Sequence, residues 1–235
     1  MVSTVKVDVV APRVATGTTT LGISGDKLLI PSGVTITNSG TASGFASGFN
    51  SVQVFTAAAT WTRPTDITKV IVEVQGAGGG GGRHTGSPYC VGGSAGGYAK
   101  KFIDVSSIST SPIVIGAGGA GATGSAAGSD GGDSSWTDGT NTVTGVKGVG
   151  EHSNYGTAIG GAATGGDINI KGGDGLNLDV GAVGGSSMLG SGGGSGWTGA
   201  TVSYAGSGYG SGGGAGYNVN GKAGAAGIVI VWEFK

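Results

Sequence analysis

The chain has 235 residues, a formal net charge of −1 and only 11% charged side chains. A chain this neutral lacks the Lys and Arg surplus that phosphate backbones demand, so nucleic acid is not its expected partner. It has no run near 18 apolar residues, so no membrane insertion is expected either.

Glycine fills 57 positions and proline 5, a share at which composition alone suggests disorder. Disorder also calls for low hydrophobicity and high net charge. With 37% hydrophobic residues and a mean hydropathy of +0.16, the apolar side chains must be hidden in a fold. Collagen is excluded by the scarcity of proline and the lack of a strict Gly-X-Y period. Each glycine inside a regular element costs about 0.5–1 kcal/mol relative to alanine. Summed over the chain this reaches the order of tens of kcal/mol, against a usual net stability of about 5–15 kcal/mol. Such a chain folds only where bare backbone does something that side chains would prevent.

Residues 1–50 read as a fibre stalk. Short β-prone segments at 18–23, 27–30 and 34–37 are punctuated by turns at Gly25-Asp26, Pro31-Ser32-Gly33 and Ser39-Gly40. Strands this short cannot close a core alone, and winding three chains together would bury both of their faces. The expectation is an intertwined trimerisation segment, with residues 43–50 as the hinge after it. The N-terminus lacks a signal-peptide pattern.

Residues 51–235 read as a separate all-β tip domain. Val52 to Phe55 and Thr60 to Pro64 lead through a turn at Pro64 and Asp66. Lys69 to Gln75 then alternates, with Val70, Val72 and Val74 on one face and Ile71, Glu73 and Gln75 on the other. Further strands are expected at 98–105, 113–115, 142–146 and 167–171. The last, 228–234, is apolar on both faces and suits a central strand. No segment has a helical period.

Glycine blocks at 76–97, 116–132, 145–166, 172–175, 181–199 and 206–227 separate these strands. They fit two descriptions. One is flexible loops, although loops this long are uncommon in compact domains. The other is extended left-handed helices of the polyproline II type, with three residues per turn and no internal hydrogen bonds. Buried backbone groups need partners, and helices without side chains come close enough to supply them to one another. The expected fold is therefore a short intertwined β stalk followed by a β-sandwich-like domain whose glycine-rich segments are either polyglycine II helices or loops.

Several motifs carry a family resemblance. Thr60-Trp61-Thr62-Arg63-Pro64 stands before Val70-Ile71-Val72-Glu73-Val74 and Gly76-Ala77-Gly78-Gly79-Gly80. After them come Gly96-Gly97-Tyr98-Ala99-Lys100-Lys101, Ile115-Gly116-Ala117-Gly118-Gly119 and Gly132-Asp133-Ser134-Ser135-Trp136. The runs Ala163 to Gly173 and Ala226 to Phe234 complete the order. Together they resemble the glycine-rich tip domain of bacteriophage tail fibres. The resemblance implies a virion protein: a homotrimeric fibre tip that binds a host cell-surface glycan or outer-membrane protein and joins other tail proteins through its N-terminus. The alternative is a purely structural trimerising cap without receptor contact.

Interruptions of the glycine blocks supply the candidate contacts. These are Arg83, His84 and Tyr89 in the first block and Glu151, His152, Asn154 and Tyr155 in the third. Trp197, Tyr204, Tyr209 and Tyr217 lie in the last two, with Asn218 and Asn220 alongside. Rigid rings beside adaptable polar groups suit a binding surface; the same rings also suit gap-filling in a glycine scaffold. Trp61, Trp136 and Trp232 lie in strand-like motifs and read as core.

Cys90, the sole cysteine, has no disulfide partner within the chain and reads as inert. Gly172 to Asp179 approaches a calcium-binding nonapeptide, but Asn177 stands where an Asp is expected and the motif does not repeat. Neither metal nor cofactor is expected. The carboxylates Asp130, Asp133, Asp138, Glu151, Asp167, Asp174 and Asp179 sit mostly beside glycines in turn contexts, where Asp bonds local backbone. No enzymatic activity is expected of them.

Overall fold

The computed structural model describes residues 48–86, 89–151, 156–177, 182–195 and 203–235. The expected stalk, apart from residues 48–50, lies outside the described residues. Phe49 is already in the first strand, so a boundary at residue 50 cuts through that strand.

The strands are β1 (Phe49–Phe55), β2 (Ala59–Thr62), β3 (Lys69–Gln75), β4 (Arg83–His84), β5 (Tyr98–Asp104) and β6 (Thr110–Val114). They continue with β7 (Ser134–Thr137), β8 (Thr142–Gly145), β9 (Ala163–Thr164), β10 (Ile168–Ile170), β11 (Gly216–Tyr217) and β12 (Ile228–Phe234). The described residues hold no helix of the hydrogen-bonded kind, and the fold is all-β. One sheet has the order β1-β12-β3-β5-β10 and another β2-β6-β7-β8-β9; β4 and β11 form a separate parallel pair.

Period-two alternation explains how the two large sheets meet. Val70, Val72 and Val74 of β3 and Val229 and Val231 of β12 point inward, as does Ile103 of β5. They pack with Trp61, Ile113, Trp136 and Val143 of the second sheet. The Trp61 and Trp136 rings lie 6.4 Å apart at 59°, and both residues are fully buried. The turn before β3 closes with a hydrogen bond from the Ile67 amide to the Pro64 carbonyl at 3.3 Å. Asp66 takes φ 67 there, a conformation Asp tolerates better than most residues.

Trp232 departs from the core reading. It faces outward on β12, where its ring lies 6.1 Å from that of Phe49. Register places Val52, Trp232, Ile71 and Phe102 in one row across four strands of this outer face, with Val52 and Phe102 exposed.

Glu233 takes the inward position next to Val231 and is fully buried. Three donors surround its carboxylate: Trp61 Nε1 at 2.8 Å, Gln53 Nε2 at 2.7 Å and Ser51 Oγ at 2.5 Å. One side chain of β12 thereby ties β1 and β2, strands of different sheets, together.

Beyond the strands the glycine segments form a hexagonal array. The amides of Gly76, Gly79 and Gly82 donate to Gly97, Ser94 and Val91. Those of Ala77 and Gly80 donate to Gly132 and Ser129, and those of Gly78 and Gly81 to Ala225 and Lys222. Every third amide meets the same neighbour, which is the geometry of three residues per turn. Carbonyls of the same segment accept from Gly148, Gly119, Ala122, Gly213 and Gly216. Segment 76–82 therefore has six neighbours. Each of these also bonds the next around the ring: Gly131 to Gly148, Gly132 to Ala117, Gly224 to Gly119, Lys222 to Gly214, Gly93 to Gly213 and Ser94 to Val149.

Segments 91–97 and 210–216 are enclosed in the same way, and these two and 76–82 bond one another. The array therefore has three enclosed helices at its centre. The remaining segments, 117–122, 126–132, 146–151, 158–162, 172–176, 182–186, 190–194, 203–206 and 221–226, form the perimeter. The loop description of the glycine blocks gives way to the extended-helix one because these blocks satisfy their amides in register with one another.

Most array helices extend strands. β3 runs into 76–82, β6 into 117–122, β8 into 146–151 and β10 into 172–176, whereas 91–97 and 221–226 run into β5 and β12. At the junction Gln75 is fully buried rather than facing out. Its Nε2 donates to the carbonyls of Gly96 and Gly97 at 2.8 and 3.1 Å. Gly210, at φ 75, leaves room for it: a Cβ there would stand 2.5 Å from the Gln75 Cγ.

Two stability outcomes follow from this packing. A Cβ at Gly80 would overlap the carbonyl of Ala120, whereas one at Gly124 meets nothing within 4 Å. Gly80→Ala is expected to lose about 3 kcal/mol or more through overpacking, and Gly124→Ala to change stability by less than about 1 kcal/mol. Urea unfolding followed by tryptophan fluorescence measures both, and equal effects would contradict the enclosure of 76–82. By the same measurement, Glu233→Leu should lose about 3 kcal/mol or more, because it strands three donors. Glu233→Gln, which keeps an acceptor, should lose clearly less.

Candidate functional site

Array helices end away from the sandwich in a set of connections that gather at one distal end. Arg83 and His84 of β4 pair in parallel with Gly216 and Tyr217 of β11. Arg83 also bridges to Ala126 and Val91 to Asn177, while the Ala215 amide donates to Ala182 at 3.1 Å. Ser203 Oγ donates to the Asn220 carbonyl at 2.6 Å. Residues 83–86, 89–90, 123–126, 177, 182 and 217–220, with Glu151 and Ser203, thus share this end. His152, Asn154, Tyr155 and Trp197 lie outside the described residues. Glu151, which precedes the first three, is half-buried with its carbonyl beside Gly82.

Each candidate here has a definite setting. The Arg83 guanidinium donates through Nη1 to Asn220 Oδ1 at 2.6 Å and to the carbonyl of Thr123. It therefore pins three connections together, a role the sequence did not reveal. His84 Nδ1 lies 3.0 Å from the Thr85 carbonyl, and the His84 carbonyl accepts from Asn218 at 2.9 Å. Asn218 adopts φ 56, a left-handed value that Asn reaches at modest cost.

Tyr217, half-buried, packs against the cluster of Cys90, Ala182 and Ala215, so it serves the scaffold in part. Tyr89, the chain neighbour of Cys90, is half-buried. Burial pushes the Cys90 thiol up to about 11, which keeps it protonated near neutral pH, and a thiol without thiolate character is a poor nucleophile.

Two tyrosines lie elsewhere. Tyr204 is 61% exposed; its amide donates to Gly194 and its carbonyl accepts from Gly214, both at 3.0 Å. It stands on the flank of the array just inside the distal end. Tyr209 is at the opposite end, where its amide donates to the Leu189 carbonyl at 3.1 Å and Gly210 adjoins Gln75. The connection through Thr123, Gly124 and Ser125 was missed as a surface element, because its small residues look like the glycine block around them.

Acidic residues cap amides along the perimeter. Asp130 Oδ1 accepts from Gly150 at 3.0 Å, Asp133 Oδ1 from Lys147 at 2.8 Å and Asp174 Oδ1 from Gly160 at 2.7 Å. In the sandwich, Asp167 Oδ2 accepts from Phe102 at 2.9 Å. The Gly160 amide, then the Lys171 ammonium, holds Asp174 below the usual carboxylate range. The Phe102 amide, then Lys101, does the same for Asp167. Asp138 closes a local turn through the amides of Thr140 and Asn141. Among the described residues no group of three or more His, Cys, Asp or Glu side chains is placed to hold a metal ion.

No curated protein matches the chain. A family model described as a glycine-rich domain matches residues 51–232. That span takes in all but the first residues of β1, the whole array and the distal connections, and the chain belongs to the glycine-rich domain family.

Proposed function

We propose that this protein is the tip of a bacteriophage tail fibre and binds a host cell-surface glycan or outer-membrane protein through its distal connections. The observation that carries the reading is that Arg83, His84, Tyr89, Tyr217 and Asn218, from two separate interruptions of the glycine blocks, meet at one end of the hydrogen-bonded array. The three enclosed helices carry only Gly, Ala, Ser and, at the distal start of 91–97, Val91, so the array interior offers little chemical variety and the distal connections supply more. His84, Tyr89, Tyr217, Asn218 and the neighbouring loops provide rings and amides there, the mixture that suits an adaptable contact surface.

The same reading expects three copies on one fibre, which multiplies weak contacts by avidity. The outward row of Val52, Trp232, Ile71 and Phe102, exposed at its two ends and half-buried between, is an apolar surface that contact between copies would cover. The other tail proteins would attach on the N-terminal side.

Tyr89→Ala and His84→Ala are expected to weaken adsorption of the purified protein to host cells by about tenfold or more, equivalent to roughly 1.4 kcal/mol. Tyr209→Ala, at the opposite end, should leave adsorption unchanged while the fold is intact by circular dichroism. Adsorption indifferent to both distal substitutions and to replacement of residues 83–90 and 151–156 would leave a structural cap as the remaining role.

A further inference from the structure

We propose a second, mechanical function: the domain carries tension between Gly48 and its distal connections, and β1 is the clamp that bears the load. The need for such a clamp rests on the receptor-binding reading, which places a cell at one end and the virus particle at the other. The clamp itself rests on topology alone.

Among the described residues β1 is an edge strand, paired in the sheet with β12 alone. Its pairs run from Phe49↔Phe234 to Phe55↔Val229. Gly48 and Lys235 meet at the end of the sandwich, where the Lys235 amide faces the Gly48 carbonyl at 3.4 Å. β12 reaches that end from the array, and β3 runs from it into 76–82. The axis of β1 therefore lies along the line from Gly48 to the distal connections.

Direction decides how these bonds fail. Antiparallel hydrogen bonds lie perpendicular to the strands. A pull from Gly48 against the distal end slides β1 along β12 and loads every rung together. A pull between Gly48 and Lys235 opens the rungs one after another from the Phe49 end. The bonds are the same in both cases, but only the first geometry shares the force among them.

Side chains reinforce the sliding geometry. Ser51 and Gln53 of β1 both donate to the buried Glu233 of β12. Phe49 sets its ring 6.1 Å from those of both Trp232 and Phe234, and Phe55 packs on the core. Behind β12 stands β3, paired with it along its full length from Lys69 to Gln75. β3 continues covalently into the central array helix, which is bonded on all sides. Force entering at Gly48 thus passes through hydrogen-bonded elements from β1 to the array without crossing a surface loop.

Optical tweezers on the full chain test this. One handle is placed at the N-terminus and the other either in a short tag inserted after Gly124 or at the C-terminus. At one pulling rate, rupture toward the distal tag is expected at about twice the force of rupture toward the C-terminus, or more. Released length identifies the event, because freed chain extends by at most about 3.6 Å per residue. Ser51→Ala combined with Gln53→Ala should narrow the difference. Equal forces in the two geometries, or a lower force toward the distal tag, overturn the proposal; a difference untouched by the double variant overturns the role of Glu233. Force and adsorption are separate readouts: equal forces with loop-dependent adsorption sink only the clamp, and unequal forces with loop-independent adsorption sink only the receptor reading.

Discussion

The backbone of the glycine segments has no bonding partners of its own within one turn, so every amide must find another segment. That requirement governs the domain. A helix with three residues per turn directs its amides along three lines, and enclosure on six sides satisfies them. Enclosure is available only where Cβ atoms are absent, because neighbouring carbonyls occupy the space a methyl would need at Gly78, Gly79, Gly80 and Gly81. Where the array tolerates a larger residue, as at Ala77, Ser94 and Ala95, the residue is small and buried.

The sandwich supplies what the array lacks. Glycine helices bury almost no apolar surface, and hydrophobic burial is the main favourable term in folding. Val70, Val72, Val74, Val229, Val231 and the two central tryptophans provide it at one end. Because strands pass directly into array helices, the register set by the valine pairs is handed on to the glycines, which have no side chains with which to define a register. Gln75 and Gly210 accommodate the change of spacing at the joint.

Much of this was legible in the sequence. Alternating valines gave β3 its inward face, and the apolar run at 228–234 placed β12 centrally. The glycine blocks left extended helices and loops both open, with loop length alone speaking against the second. Other features were not legible. Glu233 sits in an apolar run where a lone acid looks like a solvent-facing residue; its three donors come from strands distant in sequence. Trp232 shares the alternation of a core residue, but parity alone does not say which face the second sheet covers. Arg83 looks like a surface contact until Thr123 and Asn220 are brought to it by the array. The pairing of glycine segments is hidden because identical residues carry no address, and the separation of Tyr209 from the other candidate rings was hidden with it.

The perimeter acids occupy part of the array's outer bonding rows. A bundle of bare peptide rods is, in chemical terms, a seed crystal, since each outer rod offers the same bonding row that recruited it. Unblocked rows would admit further glycine-rich chain from any source, much as an open sheet edge admits another strand. Asp130, Asp133 and Asp174 place carboxylates on outer amides at Gly150, Lys147 and Gly160. With their hydrogens taken by carboxylates, those amides are closed to any further peptide rod.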